Sequence, residues 1–193
     1  MVPYDYTDVP PPQFELIPDG TIATVVTHIR SGGAGEDGML KRSNDGGCEM
    51  LDCEFAVADG PFKGRKFWER WILQGTTAGH AKSADINRGK LKAILDSAFG
   101  LRPDDASPQA RAARTISLKQ FEGMTFVAKI GIEKGKAKND GSGENWPDKN
   151  ILAGVITPDR KEWHAVEQPP PFNGGTPSSS SAVPIARPGW ASA

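Results

Sequence analysis

The 193-residue chain balances 23 Lys/Arg against 24 Asp/Glu for a formal net charge of −1, with 37% hydrophobic residues. That composition fits one packed domain of ordinary size with extra segments, and no run approaches the roughly 20 apolar residues of a membrane-spanning helix. The first residues lack the basic start and apolar middle of a secretion signal, so a soluble, cytoplasmic protein is expected.

In chain order, residues 1–13 are proline-rich and read as a flexible, extended arm. Residues 14–167 hold the apolar patterning and form the expected domain. Residues 168–193, dominated by Pro, Gly and Ser, read as a disordered tail, because they offer too little apolar surface to offset the entropy of ordering. Thr21 to Ile29 is rich in β-branched residues and follows the Pro18-Asp19-Gly20 turn, which predicts a first strand. A polar, Gly-rich loop runs from Ser31 to Gly47. Glu49 to Ala58 then alternates, with Leu51, Cys53, Phe55 and Val57 toward the core. After the Asp59-Gly60-Pro61 turn, Lys63 to Leu73 is the return strand of a hairpin.

Leu91, Ile94, Leu95 and Ala98 make one helical stripe, with Ser83 or Asp85 as the expected cap and Gly100 as the C-terminal stop. Ser107-Pro108 opens a second short helix through Arg114. Two strands follow, Thr125 to Glu133 and Asn150 to Thr157, joined by a polar loop. Three strands, a helix and two strands form the element order of a five-stranded OB-fold barrel, so a mostly β fold of that type is expected.

Chemistry motifs are sparse. Gly89-Lys90 lacks the earlier glycine and the following Ser/Thr of a phosphate loop. Cys48 and Cys53 lie five apart, which on one regular strand places them on opposite faces and argues against a bridge. Neither a cofactor nor a metal ion is expected, and no catalytic constellation is visible.

What stands out is where the cations lie. Residues 1–60 hold 3 Lys/Arg against 11 Asp/Glu, whereas residues 61–102 hold 9 against 3. A single-strand binder needs cations that track the backbone beside aromatic faces on which bases stack. Alternation along the third strand puts Lys66, Trp68 and Arg70 on one face and Phe67, Glu69 and Trp71 on the other. Lys63 and Arg65 extend the basic track. Which of Trp68 and Trp71 faces a ligand stays open at this point. The first long loop adds Arg30, Lys41 and Arg42, and the second adds Lys134, Lys136, Lys138 and Trp146. The three lysines alternate, as if prolonging the fourth strand with all on one side. Lys129 points away from the core face and can join either group.

The turn Asp59-Gly60-Pro61 with Lys63-Gly64-Arg65, the run Phe121-Glu122-Gly123-Met124, and Asn150 with Thr157-Pro158 resemble a family of small phage- and prophage-encoded OB-fold single-stranded DNA-binding proteins. The resemblance spans roughly residues 18–160. It implies sequence-tolerant binding of single-stranded DNA in phage replication or recombination, with replication or recombination proteins as further partners. It defines no residue set, so the candidates above rest on strand alternation. One departure is the tail, which has no acidic residue after Glu167 where bacterial single-stranded DNA-binding proteins end in an acidic tip. Two rival readings remain. One is an OB-like adaptor for a recombinase or nuclease, favoured by the near-neutral charge. The other is a metal-dependent nuclease using Asp52, Glu54 or Asp59. Oligomeric state is left open, a homo-oligomer included.

Overall fold

The computed structural model describes residues 15–139 and 141–168. The proline-rich arm and the tail beyond Gln168 lie outside the described residues. The strands are β1 (Thr21–Arg30), β2 (Lys41–Arg42), β3 (Cys48–Val57), β4 (Lys66–Gly75), β5 (Thr125–Glu133) and β6 (Lys149–Val155). Between β4 and β5 come the helices α1 (Ala78–Phe99) and α2 (Pro108–Ala113) and a 3₁₀ turn (Leu118–Phe121).

All pairings are antiparallel. β3 is central, with β4 along one edge and β1 and the short β2 sharing the other; β1 pairs in turn with β5, and β5 with β6. The sheet therefore has six strands where the sequence predicts five. The extra one, β2, is two residues inside the first loop, too short to leave an alternation to read. That loop is also less solvated than its composition implies, because Met39 and Leu40 are buried in the core.

The predicted barrel is not closed. β4 and β6, at opposite ends of the strand order, share no backbone ladder. The Glu69 carboxylate bridges them, accepting the Leu152 N–H, the Trp71 indole N–H at 2.5 Å and the Lys90 ammonium at 3.1 Å. A side chain thus stands where closure would place strand hydrogen bonds.

The core follows the alternation. Leu51, Cys53, Phe55 and Val57 of β3 and Phe67, Trp71 and Leu73 of β4 are buried. Phe55 is the hub, with ring centroids 5.2 Å from Phe67, 5.6 Å from Trp71 and 6.0 Å from Phe126. β5 departs from simple alternation: Thr125 and Val127 are buried as well. Ser97 of α1 accepts the Val127 N–H, Ile156 bonds back to Val127, and Gln168 brackets Thr125 through its N–H and carbonyl. Gln168, placed by composition at the start of the tail, is thus tied to the domain. Both cysteines are free and buried. The register of β3 against β4 shifts between Glu49 and Met50, so simple alternation does not carry through to Cys48.

Helix α1 begins at Ala78, capped by Thr77, whose hydroxyl accepts the His80 N–H at 3.1 Å. The predicted caps, Ser83 and Asp85, lie inside the helix. Its first turns pack little, so no apolar stripe announces them. The predicted end holds: Gly100 takes a left-handed φ of 66° and bonds back to Asp96. Buried Asp96 joins Lys92 at 2.7 Å and Arg114 at 2.6 Å, fixing the segment after α2 to the end of α1.

Candidate nucleic-acid interface

Register places the outward side chains of β1, β3 and β4 in rows. Val26, Ala56 and Lys66 form the first row, His28, Glu54 and Trp68 the second, and Arg30, Asp52 and Arg70 the third. Beyond them, Lys41 of β2 lies beside Met50 and Ile72. The face has two carboxylates on its central strand and cations on both flanks.

Trp68 is 50% exposed and Trp71 2% exposed, so Trp68 is the tryptophan this face presents. The Trp68 indole donates to Glu54 at 2.9 Å. Lys66 reaches the other oxygen of Glu54 at 2.6 Å, and Arg30 joins from β1 at 3.0 Å. The hydrogen bonds from Lys66 and Trp68, with Arg30 adding, hold the Glu54 carboxyl down at about 2. Arg70 grips Asp52 through two nitrogens, at 2.5 and 3.1 Å. Arg42 pairs with Glu49 at 2.9 Å.

The second loop folds back as a ribbon through an Ala137–Asn145 bridge, with Gly135 backbone pressed against the Trp146 carbonyl where no Cβ fits. β5 has ended at Glu133, so Lys134, Lys136 and Lys138 do not prolong the strand. Lys134 pairs with Asp148 at 2.6 Å. Lys138 pairs with Glu144 at 2.5 Å and lies 5.7 Å from the centre of the Trp146 ring, which is 60% exposed. Lys136 is exposed and makes no ion pair among the described residues.

A groove of about 950 Å³ opens beside Trp68 where β4 and β6 fail to pair. Lys63, Arg65, Lys66 and Trp68 line one wall, and Asp148, Lys149 and Asn150 the other. Lys129 stands apart, opposite Ile22, six residues along β1 from the Trp68 row and thus about 20 Å away.

The structure therefore brings together Arg30, Lys63, Arg65, Lys66, Trp68 and Arg70. Lys41 and Arg42 sit at one margin, Lys134, Lys136, Lys138 and Trp146 on a separate ribbon, and Lys129 elsewhere. Sequence reasoning missed Glu54 as the organiser of the face, although the hairpin register through the Asp59-Gly60-Pro61 turn places it opposite Trp68. It also missed the groove wall from β6.

Asp52 and Glu54 are both engaged by cations, and Asp59 accepts the Thr24 N–H at 3.1 Å and its hydroxyl at 2.5 Å. Among the described residues, no three His, Cys, Asp or Glu side chains gather as a metal set, and no helix is long and apolar enough to cross a membrane. No family model, curated protein or solved structure matches the chain significantly.

Proposed function

We propose that this chain is an OB-type domain that binds single-stranded DNA, sequence-tolerantly and without catalysing a reaction, in the manner of the phage proteins it resembles. The observation that carries the reading is the outer face of β3 and β4. A half-exposed tryptophan stands there between Lys66 and Arg70, next to a groove lined by Lys63 and Arg65. One aromatic surface takes a base, and the flanking cations take phosphates. The strand order also supports an OB assignment. A three-strand meander of β1, β3 and β4, a helix, then β5 beside β1 and β6 beside β5 follows the same element order as an OB-fold, although the sheet is open and Glu69 stands at the unpaired seam. On this reading the protein works in the host cytoplasm during phage replication or recombination.

Ion pairing favours one alternative, an adaptor that binds a recombinase or nuclease. Lys66, Arg30 and Arg70 already have carboxylate partners, which lowers the potential a phosphate backbone would feel. Titrating labelled oligo(dT) and a matched duplex at two salt concentrations without magnesium separates the two. Salt-sensitive binding to the single strand alone is expected. Absence of binding at low salt leaves the adaptor.

A further inference from the structure

Strand β1 outruns its neighbour β5. Their pairing ends with Val26 opposite Thr125, and the Thr27 N–H then goes to the Met124 carbonyl at 2.9 Å. The next amide on that edge, at Ile29, finds its acceptor in a side chain. Glu122, just after the 3₁₀ turn, takes the Ile29 N–H on one carboxylate oxygen at 2.6 Å and meets His28 Nδ1 with the other at 2.8 Å. The backbone thus fixes the carboxylate, and the carboxylate fixes the imidazole.

That contact decides which ring nitrogen carries the proton. An ionised carboxylate only accepts, so Nδ1 donates, and in the neutral ring Nε2 is left bare as an acceptor. The His28 side chain is 43% exposed, and its Nε2 makes no hydrogen bond among the described residues. Its cross-strand partner Glu54 is taken up by Lys66, Arg30 and Trp68. The row His28–Glu54–Trp68 therefore has an aromatic surface at one end and an open acceptor at the other, two strand spacings or about 10 Å apart.

A phosphate oxygen, itself an acceptor, gains nothing from a bare nitrogen. A base edge does. Each of the four bases carries an N–H on its Watson–Crick edge, at thymine N3, guanine N1 or the amino group of adenine and cytosine, and a duplex gives that proton to the partner base. We propose that His28 is a specificity-determining contact, accepting through Nε2 an N–H from the Watson–Crick edge of the base next to the one stacked on Trp68. The contact is open to any base, but only to an unpaired one, so it selects single strand over duplex without selecting sequence. Glu122 is a positioning residue, which acts by holding the Nδ1 proton and leaving Nε2 bare. The base contact rests on the nucleic-acid reading; the tautomer does not.

Nitrogen-15 NMR of the full chain at pH 8 reads the tautomer without DNA, with the His28 signals identified by their loss in His28→Ala. A protonated Nδ1 and a bare Nε2 are expected, and Glu122→Ala should mix the two tautomers. A proton on Nε2 in the native chain overturns the acceptor role, and an unmixed tautomer in Glu122→Ala overturns the positioning role.

The base contact is tested at the same pH with oligo(dT) and its N3-methylated counterpart, which keeps the ring and the phosphates but lacks the one donor. The native chain should bind the unmodified strand about two- to tenfold more tightly, the worth of one hydrogen bond. His28→Ala should bind both strands alike, near the native affinity for the methylated one. Equal native affinities overturn the contact, and so does a His28→Ala chain that keeps the preference. If the native chain binds neither strand, the nucleic-acid reading fails and the base contact falls with it, while the tautomer stands on its own spectrum.

Discussion

On the proposed reading, a carboxylate in the middle of the Trp68 face would repel phosphates unless its charge is already compensated, and at Glu54 Lys66 and Arg30 compensate it. Three donors from two neighbouring strands converge on it, and the Trp68 indole is one of them. The indole hydrogen bond to Glu54 also fixes the Trp68 ring, which on the proposed reading lowers the ordering cost of stacking a base there. Glu54 has a folded-state pKa near 2, below the ordinary 4.5. Its contribution to stability is therefore complete above about pH 4.5 and lost as pH falls toward 2. Solvent around the half-exposed Lys66 and Arg30 reduces that contribution to on the order of 1 kcal/mol. Urea midpoints at pH 6 and pH 2.5 should show the loss in the native chain and a smaller one in Glu54→Gln; equal losses would remove Glu54 as the titrating group. Trp68→Ala should weaken oligo(dT) binding by about 1–3 kcal/mol while lowering the unfolding midpoint, since Glu54 loses one of its donors, and unchanged affinity in that folded variant would end the stacking role. Alternation put Trp68 and Trp71 on opposite faces and left open which of them is exposed; the burial of Trp71 decides it. The burial of Glu54 was not legible, because it depends on Arg30 arriving from another strand.

Strands and helices with a two-sided pattern could be read directly from the chain; those without one could not. β3 and β4 each pack one face on the Phe55 cluster and leave the other to water, so their alternation survives in the sequence. Helix α1 shows an apolar stripe only in its later turns, where Leu91, Ile94 and Leu95 meet the core, and its start rests on a single cap. Two-residue β2 has no period at all. The seam between β4 and β6 was equally illegible, because it is one carboxylate acting at a distance along the chain. Glu69→Ala should leave the Trp71 and Leu152 N–H groups without their acceptor and Lys90 without its partner, costing about 2 kcal/mol. Urea unfolding measures that cost. Hydrogen exchange should show the Leu152 amide opening faster than those in the β1–β3 ladder. If the Leu152 amide keeps its native protection, backbone pairing and not Glu69 holds the seam.

At the scale of the molecule, the acidic first sixty residues and the basic stretch after them are not separate electrostatic regions. The hairpin lays β3 against β4, so Asp52 and Glu54 meet Arg70 and Lys66, and the segregation seen along the chain largely cancels across the sheet. Net charge by segment therefore overstates the positive field, and only pairing register, a non-local property, shows by how much. Salt dependence can measure the remainder, since each phosphate neutralised on a single strand contributes about 0.7 to the slope of log affinity against log salt. A lysine held by a carboxylate contributes less, because that pair must open first. Lys63→Ala should accordingly flatten the oligo(dT) slope by about 0.7. Changing Lys134, Lys136 and Lys138 together should flatten it by about the same amount, since Lys136 alone of the three makes no ion pair among the described residues. A drop near 2 for the triple variant would mean that the Asp148 and Glu144 pairs open on binding and that the ribbon closes over the strand. An unchanged slope would place the ribbon outside the binding path and confine the site to the Trp68 face and its groove.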